Sequence, residues 1–402
     1  MVGTSILLLA LAVWALFFRT SAAPEQTPGK NFGTSDTRSS VGVGSTPFGA
    51  SGNQPLTATD LSKKIFRIHP GPVAGAAFIQ TFNPTTTVAR FVLAENGHVM
   101  DLVVDSPGAI ARPVSNTTIP GIAETVWTQK GAGVVLRYLD REVKKTVTLG
   151  FSTSTLATTT SLSGSVRIQF LPNEVQSIAA SPDGASLVYL LKTDAGTDGY
   201  VARPDGGNAR KLFSLPLSQL LVSWPSVGTI LAYTPAASGV AGILFSVDAR
   251  TGGTAPLLRA NGLTASADRA FSRVVYQTAD AAGHPTYSHN NKTGLDTALS
   301  FDPLPEECVW SALATSTAYC PAPMSYVPGG FIDQWHKGLG SVAMGVFSYD
   351  YTNRSTFVAV PGSPDGGVAS DIVALQLSPD EKYLLFVKKG ERSLWGVRLT
   401  QN

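Results

Sequence analysis

The chain has 402 residues, room for one large domain or two ordinary ones. Charged residues are only 14% of it, and 39 glycines with 26 prolines suit many turns and little exposed helix. A net charge of +2 excludes charge-driven binding to nucleic acid, and the short basic pieces at Lys63-Lys64 and Lys388-Lys389 read as solvated loop ends.

In chain order, the first element is an unbroken apolar run from Ile6 to Phe18, followed by Arg19. It is long for a signal-peptide core and short for a membrane span of about 20 residues. Thr20-Ser21-Ala22-Ala23 offers small residues for cleavage. Residues 1–19 are therefore expected to be a hydrophobic helix that serves as a signal peptide or a membrane anchor, with the anchor favoured. Residues 20–60 are rich in Ser, Thr, Gly and Pro and nearly free of large apolar side chains. Such a stretch is expected to be a disordered tether.

From residue 61 to 402 one short phrase recurs. It has an apolar residue, a turn-forming middle and an apolar run about nine residues on. Trp127 leads through Lys130-Gly131 to Leu136, Trp224 through Val227-Gly228 to Tyr233, and Trp310 to Tyr319. Ala265 leads to Tyr276 across a short insertion at Asp268-Arg269. The phrase is clearest as Ala180-Ser181-Pro182-Asp183-Gly184 before Leu187-Val188-Tyr189, and as Leu377-Ser378-Pro379-Asp380-Glu381 before Leu384-Leu385-Phe386. The closing residues 136, 189, 233, 276, 319 and 386 are 53, 44, 43, 43 and 67 apart, and one more step of 43 back from Leu136 reaches Leu93. Blades of a β-propeller are about 40–50 residues long with four strands each. The spacing predicts an all-β propeller of seven blades, with six or eight as the alternatives because the first repeat is weak. Residues 63–82 are expected to supply an outer strand that closes the ring, with Leu394 to Leu399 in the same blade.

The Ser-Pro-Asp-Gly phrase followed by Leu-Val-Tyr resembles the WD40-like repeat of TolB-type propellers of bacterial envelopes. The resemblance covers residues 61–402 as architecture, and the motif is well kept only in the third and seventh blades. In that family the phrase is a strand-turn-strand device, so the resemblance implies fold rather than function. The family's separate N-terminal domain has no clear counterpart here.

Cys308 and Cys320 flank one strand-turn-strand unit, so antiparallel pairing would set them opposite each other. In an exported protein a disulfide is the expected state, with two buried thiols as the alternative. No nucleophile elbow, zinc-protease helix, P-loop or Cys-x-x-Cys occurs. The five histidines form no ligand set, and neither a metal nor a cofactor is expected.

The 67-residue gap before the last blade is the chief irregularity. Its excess includes Met324, Tyr326, Phe331, Trp335, His336 and Lys337. Insertions of this kind project from one propeller face, where binding residues concentrate. Tyr326, Phe331, Trp335, His336 and Lys337 are the candidate partner-binding residues, the alternative being that the aromatics fold back to cap the propeller. The expected function is a non-enzymatic binding or scaffold module of the bacterial cell envelope, tethered to the membrane and holding a protein or cell-wall partner. The competing reading is a hydrolase or lyase acting on a glycan or lactone in the central channel. Small and apolar residues dominate the inner strands, as in Ile178-Ala179-Ala180, which disfavours the enzyme. Three or more acids or histidines gathered at the channel mouth would reverse that preference.

Overall fold

The computed structural model describes residues 63–79, 86–106, 108–115, 117–151, 166–361 and 371–399. The expected apolar helix and tether of residues 1–60 lie outside the described residues. Among the described residues, seven four-stranded antiparallel sheets form, each a blade of the propeller.

The chain enters through β1 (Ile65–His69), then builds blade 1 from β2 (Val73–Ile79), β3 (Val88–Leu93), β4 (Val99–Val103) and β5 (Arg112–Ser115). Blade 2 holds β6 (Ile122–Thr128), β7 (Gly133–Asp140), β8 (Val143–Gly150) and β9 (Arg167–Phe170). Blade 3 holds β10 (Ile178–Ala180), β11 (Leu187–Thr193), β12 (Gly196–Ala202) and β13 (Arg210–Leu215). Blade 4 holds β14 (Leu221–Ser226), β15 (Thr229–Tyr233), β16 (Ala241–Asp248) and β17 (Thr254–Asn261). Blade 5 holds β18 (Thr264–Ala267), β19 (Arg273–Gln277), β20 (Thr286–Asn290) and β21 (Asp296–Ala298). Blade 6 holds β22 (Val309–Trp310), β23 (Thr317–Pro323), β24 (Met344–Asp350) and β25 (Ser355–Val360). Blade 7 holds β26 (Ile372–Leu377), β27 (Tyr383–Lys388) and β28 (Leu394–Arg398), and takes its outer strand from β1.

That borrowing closes the ring. Ile65 pairs with Val397 and Phe66 with Gly396, so strands from opposite ends of the described chain share one blade. Gly396 suits its place, because a Cβ there would lie 2.5 Å from the Phe66 ring.

Every second strand is apolar on both sides, for a reason visible in its contacts. In β7, Val134 and Leu136 face blade 1 while Val135 faces blade 3. In β11, Leu187 and Tyr189 face blade 2 while Val188 and Leu190 face blade 4. In β15, Ile230 and Ala232 pack on blade 3 while Leu231 packs on blade 5. Side chains alternate across a strand, and a blade between two neighbours must bury both faces. Each such Val or Leu contributes about 1.5–3 kcal/mol by leaving water. This is why the recurrent apolar run was readable as a repeat.

One short α-helix interrupts the β-structure. It is α1 (Phe331–His336), in the blade 6 insertion. No helix of the described residues is long and apolar enough to cross a membrane.

Candidate functional site

The insertion joins β23 to β24, at the strand ends opposite the Ser-Pro-Asp turns. Its root is covalent: Cys308 and Cys320 form a disulfide, with their Cα atoms 4.2 Å apart. The pairing of Val309 with Tyr319 in the β22–β23 ladder sets the two cysteines directly opposite. Pro321 and Pro323 have no N–H to give, and β23 pairs with β22 over two residues only.

Gly330, in the left-handed region at φ 82°, turns the chain into α1. Phe331, Ile332 and Trp335 share one face of that turn of helix and are buried with Leu304, Ile372 and Leu375 between blades 6 and 7. Trp335 is only 3% exposed. The polar side of α1 is fastened as firmly. A carboxylate oxygen of Asp333 accepts from the Ser238 N–H of blade 4 at 2.9 Å. His336 Nε2 lies 2.9 Å from a Glu306 carboxylate oxygen. The Lys389 ammonium of blade 7 sits 3.5 Å from the centre of the Trp335 ring and donates to the Trp335 carbonyl. Just beyond, the Val342 N–H donates to the buried Asp371 carboxylate at 2.7 Å.

The five candidate residues therefore divide. Phe331 and Trp335 are core, and a partner could reach them only by unplugging α1. Tyr326 is 84% exposed, His336 and Lys337 are exposed, and Leu339, which the sequence did not single out, is 76% exposed. Met324 is also in solvent.

Beneath α1 lies a group that the sequence reading missed. Glu306 and Glu307 belong to a 3-10 turn, Pro305–Glu307, on the way from blade 5 to blade 6. Glu307 accepts from the Ala374 N–H of the innermost strand of blade 7 at 2.7 Å. Burial pushes its carboxyl up to about 7, with the Glu306 charge adding to the rise. The Ala374 bond, Lys389 and His336 oppose that rise. Burial also raises the Tyr233 phenol, and the charges of Glu306, Glu307 and Glu124 reinforce it. Those charges come from blade 2 and from the turn between blades 5 and 6. Burial lowers Lys389, against the nearby Asp371, Glu307 and Glu306. In blade 2, Glu124 pairs with Arg137, which also donates to the Val175 carbonyl at 2.7 Å.

The inner strands are dominated by small and apolar residues as expected, with Glu124 on β6 the one charged residue among them, and the other acids enter from a turn beside those strands. The adjacent pair Glu306-Glu307 was the available signal, but nothing local says that it faces the axis. His284 and His289 serve elsewhere, His284 buried near Gln277 and His289 2.9 Å from Asp296. Among the described residues no group of three His, Cys, Asp or Glu side chains could hold a metal ion.

No protein-family profile matches the chain, and no curated protein matches it. Solved structures do. A chain of the mitotic checkpoint complex is 11% identical, with 96% of this chain and 100% of that one covered at a TM-score of 0.51. The β-propeller domain of the trilobed protease from Pyrococcus furiosus is 7% identical, covering 84% and 97% at 0.50. Hydrazine synthase of Kuenenia stuttgartiensis is 12% identical, covering 83% and 97% at 0.50. At such identities the likeness is one of fold, and it agrees with the seven blades: this chain is a β-propeller.

Proposed function

We propose that this protein is a TolB-like, exported and membrane-tethered propeller that acts as a non-enzymatic binding module of the bacterial cell envelope. It holds an envelope protein or cell-wall partner on the face that carries the blade 6 insertion. One observation carries this reading. The insertion is plugged into the core by Phe331, Ile332 and Trp335 and tied to blades 4 and 7, yet it leaves Tyr326 and Leu339 in solvent. A loop ordered before binding loses little entropy when it binds, and an exposed tyrosine is a common anchor. The apolar run at residues 6–18 and the tether after it support export.

Deleting the insertion would strip Trp335 from the core, so surface variants are the better test. The full-length chain, Tyr326→Ala with Leu339→Ser, and Val227→Ser on the opposite face are each used to capture partners from native bacterial membranes. One partner lost with the insertion variant and kept with Val227→Ser is the expected result. The same partners on all three would place the interface elsewhere.

A second reading has its own observation. Glu306 lies 2.9 Å from His336 and next to Glu307, whose carboxyl near 7 is suited to the general acid-base work of an enzyme acting on a glycan or lactone. Against it, Glu307 already accepts from Ala374 and Glu306 already pairs with His336, both in holding the blades and the insertion together. Turnover of a glycan or lactone that Glu307→Gln abolishes, without loss of folding, would establish the enzyme instead.

A further inference from the structure

Blades 2 and 3 leave a cavity of about 450 Å³ between them, on the face opposite the insertion. A shallower groove continues from it over Ile168 and Gly206-Gly207 and shares the same arginines. Its size is that of a small-molecule site, about 300–1,000 Å³.

Its charge is unbalanced. Arg167 of β9 and Arg203 of the β12–β13 turn both line the cavity, against the single carboxylate of Asp205. Asp205 lies 3.3 Å from the Arg203 guanidinium and also accepts from the Gly207 N–H. The Arg167 guanidinium has no hydrogen-bonding or ionic partner among the described residues. A third guanidinium, Arg90, stands 5.2 Å from the Phe151 ring, but Asp101 neutralises it through two bonds of 2.7 Å. Uncompensated guanidinium at a concave site favours a carboxylate or a phosphate.

The rest of the lining decides between them. Gln129 and Gln169 bring amide side chains, and Leu149 and Phe151 bring apolar surface. Gln129 and Lys130 both stand in the left-handed region, at φ 50° and 53°, where a non-glycine residue costs about 1–2 kcal/mol. Such strain collects where a side chain must be presented in a fixed place. Inorganic phosphate would fill a small part of this volume and leave the amides and the ring without a ligand.

We propose that the cavity binds an acidic sugar. Its carboxylate would sit with Arg167 and Arg203, its hydroxyls with the Gln129 and Gln169 amides, and its carbon face against Phe151. The site lies away from the insertion, so it stands or falls separately from the partner-binding reading.

The test is calorimetric titration of the full-length chain with glucuronate, glucose and inorganic phosphate at low and high salt. Glucuronate is expected to bind about tenfold or more tighter than glucose, as the loss of a charge-assisted hydrogen bond implies, and to weaken with salt. Arg167→Gln and Arg203→Gln, both at exposed positions, should each weaken glucuronate by about tenfold and leave thermal unfolding unchanged. Arg259→Gln, an exposed arginine on β17, should bind as the parent does. Glucuronate no tighter than glucose, equal losses in all three variants, or no binding of any probe would overturn the site. Phosphate bound as tightly as glucuronate would overturn its assignment to a sugar.

Discussion

The two well-kept Ser-Pro-Asp turns, in blades 3 and 7, do the same local work and join their neighbours by different means. In each, the serine hydroxyl donates to the aspartate, Ser181 to Asp183 at 2.5 Å and Ser378 to Asp380 at 2.7 Å. In each, that hydroxyl accepts an N–H from five residues on, Ser186 at 2.9 Å and Tyr383 at 3.0 Å. The fourth residue stands in the left-handed region in both, Gly184 at φ 70° and Glu381 at φ 55°. There the turns part. The Gly184 carbonyl accepts from the Gln129 N–H of blade 2 at 3.0 Å, and the backbones touch so closely that a Cβ would lie 2.3 Å from that nitrogen. Glu381 has room for its side chain and uses it to grip blade 6. Its carboxylate accepts from Ser311 Oγ and from the N–H groups of Ala312, at 2.6 Å, and Leu313, at 3.0 Å. One position in the repeat therefore couples each blade to the preceding one, by main-chain contact in the first case and by a charged acceptor in the second.

The largest effect expected is at the tighter contact. Gly184→Ala meets backbone that cannot rotate away and adopts a conformation that alanine resists. It should cost about 3 kcal/mol or more in denaturant unfolding. A loss under about 1 kcal/mol would mean that the blade 2–blade 3 turn contact carries little.

The blade 7 turn should behave oppositely. Glu381→Ala leaves N–H groups of blade 6 without their acceptor and keeps the left-handed strain, for a loss of about 2–3 kcal/mol. Glu381→Gly loses the same acceptor but removes the strain, so it should be about 1 kcal/mol less harmful than alanine. Equal losses for the two would show that backbone strain at residue 381 is negligible.

The smallest effect extends the comparison to another carboxylate that bridges blades, Glu307. Its folded-state pKa of about 7 lies above the ordinary 4.5, so the native state holds the proton more tightly than the unfolded chain does. The stability this contributes is complete below the ordinary value and is lost as pH rises through about 7. The parent should lose on the order of 2 kcal/mol more than Glu307→Gln between mildly acid and mildly alkaline pH. Parallel stability profiles for the two would remove Glu307 from the coupling.

Much of this architecture was legible without coordinates. Leu93, Leu136, Tyr189, Tyr233, Tyr276, Tyr319 and Phe386 all lie on the second strands of their blades. The strand expected within residues 63–82 to close the ring is β1, paired with β28 in the blade that ends the described chain. The cysteine pair was legible from its position beside one short hairpin. The insertion was visible as a length, but not the division of its aromatics into the buried Phe331 and Trp335 and the exposed Tyr326. Chemically the three are alike, and only what stands opposite each one separates them. Glu306 and Glu307 were passed over for the same reason, since a pair of acids before a cysteine looks like any solvated turn.

The amino-acid sequence by itself determined the blades, the turn chemistry and the closing strand. Those features rest on local spacing and on hydrogen bonds between residues a few positions apart. Only the tertiary structure decided what meets across blades: α1 on Lys389 and Ser238, Glu307 on Ala374, Glu381 on Ser311, and Arg167 with Arg203 in the lining of one cavity. Side chains from different blades meet through the packing of the ring, and the repeat leaves those positions free to differ.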